Sequence, residues 1–573
     1  MSDYNVGCID GYTCSKGIGI GNVVFVEKND INFDAVRPED PGDEIERYRA
    51  ASEKYIEKTK RFADELEESL GKEDAEILRA HASLATDPEL DGLIVKMISS
   101  GKCAEAAVSH VCDIFSNFFA GIDDEVVKQK SLDIKDVKRQ LIGILLDSEE
   151  DAGFEKGSVL ASKDIEPSLV AVLSPDNISA IITESGNENS HSAILARALR
   201  IPYVSGIRNI EERFLNGTKV IVDGTDGKVY ISPDDRMVAE FEEKKQKARD
   251  RELEFESYRG KPTLTGDNRK ISLMCNASSL VELRNAIEND CEGIGLFRTE
   301  MLFMRSDHAP TEEEQLNLYR KAAELLDGRP LTIRTLDIGG DKNIPYLKMQ
   351  QESNPFLGIR AIRYCLKKNP ELFKIQIRAI LRASLYGNIR IMLPMISDLS
   401  EATEALALID EAKESLRNDE LPFDNDTMIG CMIETPSAAI ISDILAAEFD
   451  FFSIGTNDLT GYVMCSDRGN IDLAYLYSVY QPAVLRLVKL ITRNAVKAGI
   501  PVGICGEAAQ DERLLPLFLD FGITELSIGP GEILEMRKNI SEWDQKKTEG
   551  VSKQIDSKKN KEDIIEYLNN IIC

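Results

Sequence analysis

The segment Gly186 to Arg197 (GNENSHSAILAR) places His191, one of four histidines in 573 residues, between a Gly/Asn/Ser turn and a short apolar helix. The run Ser179–Thr183 (SAIIT) ahead of it predicts a buried strand, so the order is strand, turn, histidine, helix. Imidazole titrates near neutrality, and its neutral form carries a nucleophilic ring nitrogen. A phosphoryl group on His191 would face the unpaired N–H groups and positive end of the helix, a ready anion site. A capping or surface role is commoner for a lone histidine at a helix start, so this segment alone leaves both readings open.

A second set of reactive side chains falls at or near the C-terminal ends of predicted strands: Arg298, Arg334, Asp337, Glu434, Asn457, Asp458, Cys505 and Glu507. Together with Arg360 and Arg468, the arginines Arg298 and Arg334 offer forked, permanently charged donors for phosphate and carboxylate oxygens. Glu434 and Asp458 supply hard oxygen ligands, and a pair of carboxylates completed by substrate oxygens is how Mg²⁺ is usually held. The inferred ligand is a phosphorylated carboxylic acid bound through a metal. Cys505 could donate a proton to carbon, although a small buried hydrophobe in a strand is an equal reading of that residue.

The elements that must position these residues follow a strand-helix rhythm beyond Lys261. Predicted strands at 271–277, 293–299, 331–337, 389–396, 429–435, 451–458, 501–507 and 523–529 alternate with helical stretches, the count for a (β/α)₈ barrel with its site at the C-terminal strand ends. Ahead of it, KGIGIGNVVFVEK (16–28) predicts a glycine turn and one strand. SVLAS (158–162), LVAVL (169–173), AIIT and the hairpin KVIVDGTDGKVYI (219–231) predict further strands. Amphipathic helices occupy the interval between, and the charged stretch Pro233–Arg259 predicts a solvated linker helix. The expected organisation is therefore multidomain α/β: an α/β domain from 1–30 and 147–232, a helical insertion at 31–146, a linker helix at 233–260 and a barrel at 261–573.

Composition narrows the class. A net charge of −30 disfavours nucleic acid and suits either a basic protein partner or simple solubility. Eleven cysteines without a CxxC pair argue for reduced thiols. No apolar run is long enough to span a membrane, and no signal peptide is evident, so the expectation is a cytoplasmic protein without membrane insertion.

Long ordered motifs then identify a resemblance that runs nearly end to end. GIGLFRTEMLFM (293–304), PTEEEQ (310–315), RTLDIGGDK (334–342), NPFLGIRAIR (354–363), IETPSAA (433–439), FFSIGTNDLT (451–460), SDRGN (466–470) and CGEAAQDE (505–512) resemble enzyme I of the bacterial sugar phosphotransferase system. The insertion matches through AEILRAHASLATDPEL and DIKDVKRQL. The resemblance implies that His191 attacks the phosphorus of phosphoenolpyruvate, releasing pyruvate, and that the phosphohistidine domain swings to deliver the group to the carrier HPr. It implies Arg298, Arg334, Arg360, Arg468 and Asn457 on the substrate, Glu434 and Asp458 as Mg²⁺ ligands, and Cys505 as proton donor to the enolate. A dimer through the barrel and an HPr surface on the insertion are implied as well. The ATP-using dikinase relatives need a large nucleotide-binding domain ahead of the histidine domain, for which the insertion is too small. A regulatory paralogue without turnover would have no need of four arginines and two metal carboxylates.

The chain departs from the family pattern in places. The loop usually reads GGxTSH, whereas here Asn187 and Asn189 replace small or hydroxyl residues and Glu188 places a carboxylate near His191. Gly461 stands where glutamine is usual, and Ala508 and Gln510 replace methionine and glycine. Glu188 is expected either to act on a phosphohistidine through its charge or to be a solvated side chain.

Overall fold

The computed structural model describes residues 7–26, 38–70, 79, 82–120, 125–147, 154–165, 169–170, 173, 177–188, 190–339, 344–347, 349 and 352–572. It separates into two compact units, Met1–Arg251 and Glu252–Cys573.

In the first unit, β1 (Gly7–Asp10), β2 (Tyr12–Ser15), β3 (Ile18–Phe25), β4 (Ser158–Ser162), β5 (Ile178–Thr183), β6 (Tyr203–Ser205), β7 (Lys219–Asp223) and β8 (Lys228–Ile231) form one sheet. Its order is β1-β8-β7-β3-β4-β5-β6-β2. β3 to β6 run parallel, and the flanking pairs are antiparallel. The predicted hairpin is present, with Val220 opposite Ile231 and Asp223 opposite Lys228. Two strand expectations need correction. Of the glycines of GIGIG, only Gly17 turns the chain, with φ 118° just ahead of β3; Gly19 and Gly21 lie within the strand. LVAVL is not a strand: Leu169 and Val170 are helical, and Leu173 N donates to Val170 O at 3.1 Å. This turn brings Val170 and Leu173 together into the core beside Leu160 and Leu195, which an extended alternation would not do. Residues 171 and 172 lie outside the described residues.

Helices Pro41–Leu70, Pro88–Ser99, Ala104–Ala120 and Glu125–Leu145 form the insertion. They share a core of their own, including Tyr48, Tyr55, Ile94, Val108, Val111, Ile134, Val137 and Leu141. The Pro88 helix begins where its sequence says it should. Asp87 caps it, accepting from Glu89 N at 2.9 Å and Leu90 N at 3.1 Å, and proline fills the first helical position, where no N–H is needed. The boundaries expected at 30/31 and 146/147 fall in or beside 27–37 and 148–153, outside the described residues. The charged stretch after the sheet forms the helix Asp235–Glu256, whose only buried residues are Met237 and Phe241.

The second unit is a closed barrel of eight parallel strands: β9 (Ser272–Ala277), β10 (Ile294–Arg298), β11 (Leu331–Arg334), β12 (Ile389–Leu393), β13 (Met428–Ile433), β14 (Phe451–Ile454), β15 (Val502–Ile504) and β16 (Glu525–Ile528). One parity of each strand faces the surrounding helices through the main core, as Ile333, Ile391, Ile433 and Ile454 do. The other parity fills the bore in layers. Arg390 on β12 reaches Glu525 on β16 at 3.1 Å, and above this pair Leu296, Met392, Met432, Phe451 and Cys505 pack together. Continuing the period of two past Leu296 and Met432 brings Arg298 and Glu434 to the mouth. Several strands stop short of their predicted ends: β11 at Arg334, β14 at Ile454 and β15 at Ile504. The residues beyond turn into the mouth instead of extending the ladder, and Asn457 and Asp458 lie in the first turn of the helix Thr456–Met464. Among the described residues, no helix is long and apolar enough to cross a membrane.

Candidate active site

At the barrel mouth, a chain of buried opposite charges links three strand ends. Arg334 is 6% exposed and donates from Nη2 to Glu300 Oε1 at 2.7 Å, while its Nη1 lies 3.2 Å from Asp337 Oδ2. Asp337 Oδ1 in turn lies 3.2 Å from Arg360 Nη2, which also reaches Asp458 Oδ2 at 3.3 Å. Arg360 Nη1 donates to the Tyr462 hydroxyl at 3.2 Å, and that hydroxyl donates to Phe356 O. Burial weighs against both guanidinium charges. The carboxylates outweigh it, Glu300 and Asp337 for Arg334, Asp337 and Asp458 for Arg360, and hold both groups above their ordinary pKa. The Nε of each is buried with no hydrogen-bond partner among the described residues. A desolvated N–H without an acceptor is costly until an anion supplies one.

Glu434 enters beside this chain. It is 2% exposed, and its Oε1 accepts from Met395 N at 2.7 Å. A Cβ on Gly455 would lie 2.7 Å from Glu434 Oε2, so glycine is what lets the main chain pass the carboxylate. Burial, then Asp458 and Asp337, push Glu434 up to about 8. Crowded carboxyl groups in a dry mouth are a donor set that a divalent cation would discharge. Among the described residues, no group of three or more His, Cys, Asp or Glu side chains is arranged to hold a metal. Glu434 and Asp458 could hold a divalent cation only with oxygen ligands added from outside the protein.

Cys505 forms part of the packed layer beneath, and burial pushes its thiol up to about 11, against a hydrogen bond from Ser453 that lowers it. The sulfur thus keeps its proton throughout the neutral range. Asn457 is held at both ends of its amide by Glu507: Nδ2 donates to Oε1 and Oδ1 accepts from the Glu507 N–H, each at 3.0 Å. Arg468 lines a cavity of about 460 Å³ with Asn457, Asp458, Phe356 and Tyr462. Arg298 closes β10 as its one exposed residue and bears electrostatically on Cys505. The barrel mouth thus joins Arg334, Asp337, Arg360 and Asp458 by ion pairs, with Glu434 within their electrostatic reach, and seats Arg468 with Asn457 and Asp458 on one cavity. It adds Glu300 and Tyr462, which sequence reasoning passed over although Glu300 directly follows the Arg298–Thr299 pair.

His191 belongs to the other unit. It is the first residue of the helix His191–Ala198 rather than the residue before it, and Ser190 caps that helix by accepting from Ala193 N at 3.3 Å. Gly186 turns the chain with φ 128°. The Glu188 side chain is exposed, and the Arg197 guanidinium reaches the Glu188 backbone carbonyl at 2.6 Å. The carboxylate found beside the imidazole is a different one: Asp133 Oδ1 lies 3.2 Å from His191 Nδ1. Asp133 is 5% exposed and comes from the insertion helix Glu125–Leu145. A carboxylate on Nδ1 fixes the tautomer with its proton there and directs the lone pair to Nε2. The sequence signal was DIKDVKRQL itself, where Asp133 and Asp136 fall on the same helical face as the buried Ile134, Val137 and Leu141. Asp133→Asn is expected to slow phosphoryl capture by His191 by about 10- to 100-fold with the fold intact. Stopped-time labelling alongside ¹⁵N spectra of the imidazole checks this, and an unchanged tautomer and rate would contradict it. Asn189 lies outside the described residues.

Comparison with known proteins bears on the same segments. Residues 253–545 match the PEP-utilising enzyme, PEP-binding domain; 154–227 match the PEP-utilising enzyme, mobile domain; and 10–130 match the PEP-utilising enzyme, N-terminal domain. The phosphoenolpyruvate-protein phosphotransferase of Priestia megaterium is 37% identical over 98% of this chain and 98% of its own length. The chain belongs to the phosphoenolpyruvate-protein phosphotransferase family. The relative of that name from Bacillus subtilis (strain 168) is 37% identical over 98% of this chain and 99% of its own. That from Staphylococcus carnosus (strain TM300) is 36% identical over the same 98% share of this chain and 98% of its own. The PEP-binding match thus covers the barrel, and the mobile-domain match covers His191.

Proposed function

We propose that this chain transfers the phosphoryl group of phosphoenolpyruvate to His191 and then to the phosphocarrier protein HPr, releasing pyruvate, the first step of the sugar phosphotransferase system. The observation that carries the reading is the pair of buried guanidinium groups, each with an unpartnered Nε, beside Glu434, Asp458 and a protonated thiol at the barrel mouth. Arg298, Arg334, Arg360 and Arg468 meet the phosphate and carboxylate oxygens, and Asn457 fixes the substrate among them. Glu434 and Asp458 would hold Mg²⁺, which supplies positive charge against the phosphoryl oxygens.

His191 Nε2 forms the new N–P bond as the bond from phosphorus to the enol oxygen breaks. The electron pair passes through the enolate to its methylene carbon, which takes the Cys505 proton and becomes the methyl of pyruvate. Asp133 compensates the positive charge that develops on the imidazole. In the organisation we infer, 1–30 with 147–232 carries the phosphohistidine, 31–146 receives HPr, 233–260 links and 261–573 binds phosphoenolpyruvate. Self-association through the barrel is proposed on apolar side chains left exposed on its neighbouring helices Pro436–Ile440, Ser442–Leu445 and Pro482–Ala498, namely Ile440, Ile444 and Val496. A cytoplasmic setting suits the described cysteines, all of them free thiols.

A coupled assay for pyruvate tests the reading. Pyruvate is expected in a single burst stoichiometric with the chain from phosphoenolpyruvate and Mg²⁺ alone, and over many turnovers with excess HPr, one pyruvate for each HPr phosphorylated. A strict requirement for ATP, or continuous release without HPr, would overturn it.

A further inference from the structure

The helix that carries Asn457 and Asp458 is pinned from one side by a tyrosine to which no role has been given. The Tyr477 hydroxyl donates to Asn457 O at 3.0 Å. Its half-buried ring lies between two cavities and lines both: the one of about 460 Å³ with Asp458 and Arg468, and a neighbouring one of about 810 Å³ with Glu507, Asp511 and Glu532. Asn457 is the other polar residue shared by the two. Gly461, one of the positions where this chain departs from its family pattern, lines the smaller cavity beside the ring. A Cβ there would lie 3.7 Å from Tyr477 Cε2, in ordinary contact with the ring, and 3.3 Å from Ser466 O, a tighter approach.

We propose that Tyr477 is a specificity-determining and positioning residue of the barrel site. Its ring closes the substrate cavity on the Asn457 side, and its hydroxyl holds the helical turn that presents Asn457 and Asp458. The inference rests on the function proposed above. The arginines take the phosphate and carboxylate, so the part of the substrate left for an uncharged wall to sense is the vinyl carbon. With the ring in place, that end has room for an unsubstituted methylene. Without it the two cavities join, and a substituent on that carbon is accommodated.

The test compares kcat/KM for phosphoenolpyruvate with that for its 3-methyl analogue, phosphoenol-2-oxobutyrate, in the full-length chain with HPr. A single methyl group against an apolar wall is worth a discrimination of about 10- to 200-fold. Tyr477→Ala is expected to lower the discrimination ratio by about tenfold or more. Tyr477→Phe, which keeps the wall and loses the hydroxyl, should preserve the ratio while raising KM for both substrates. Tyr477→Leu, which keeps an apolar but smaller wall, should lower the ratio in the same direction and by less, so the inference remains testable if the alanine variant folds poorly. An unmoved ratio in both Tyr477→Ala and Tyr477→Leu would overturn the role of Tyr477. Wild-type protein that releases no pyruvate from phosphoenolpyruvate would instead overturn the underlying function, and the inference with it.

Discussion

Replacing Glu434 or Asp458 with alanine is expected to depress labelling of His191 from phosphoenolpyruvate by about a thousandfold, while leaving His191 able to accept a phosphoryl group backwards from phosphorylated HPr. A thousandfold loss corresponds to about 4 kcal/mol of transition-state stabilisation, in the range attributed to metal-assisted charge neutralisation. The magnitude follows from where the carboxylates sit. Glu434 is almost fully buried and already pushed up to about 8 by burial and by Asp458 and Asp337, so its ionised form is useful only when a cation balances it. Asp458 lies 3.3 Å from Arg360, and removing it also frees a guanidinium that the account places on substrate. The retained back-reaction separates this loss from misfolding of the first unit, and the thermal transition of the barrel checks the second. Glu434→Gln keeps the shape and the bond from Met395 while removing the charge, and should lose nearly as much. Unaltered Mg²⁺ dependence in any of the three variants would contradict the ligand assignment.

The barrel was legible because two periodicities reinforce each other. Apolar runs of strand length recur between helical stretches, and polar residues follow each run at the same end. What the runs could not convey is where a strand stops. After Arg334, Ile454 and Ile504 the chain turns, and Asp337, Asn457 and Glu507 find partners at the mouth that an extended ladder would deny them. The short strands Gly7–Asp10, Tyr12–Ser15 and Tyr203–Ser205 went unread for another reason. Each is only three or four residues long and draws its stability from neighbours distant in sequence, as Thr13 does from Val204.

The reactive residues were legible as types and less so as partners. Arg334 and Arg360 stand out as fork-shaped donors, but that Asp337 bridges them is a fact of three dimensions. The loop around His191 teaches the same lesson. Glu188 is near in sequence and its side chain is exposed, whereas Asp133, 58 positions away, lies against the imidazole. Sequence proximity marks Glu188, whereas the helical face of DIKDVKRQL turns Asp133 inward without marking His191 as its partner.

The central claim is that His191 takes its phosphoryl group from phosphoenolpyruvate. The direct measurement is incubation of the full-length chain with ³²P-phosphoenolpyruvate and Mg²⁺, followed by mapping of the label and repetition with His191→Ala. The account predicts one acid-labile, base-stable phosphoryl group per chain, on His191, chased by HPr, with no label in the alanine variant. The effect should be total, because no other described histidine shares its setting of a capped helix start with a buried carboxylate on Nδ1. Label retained in His191→Ala, or found on another residue of the wild type, would contradict the account.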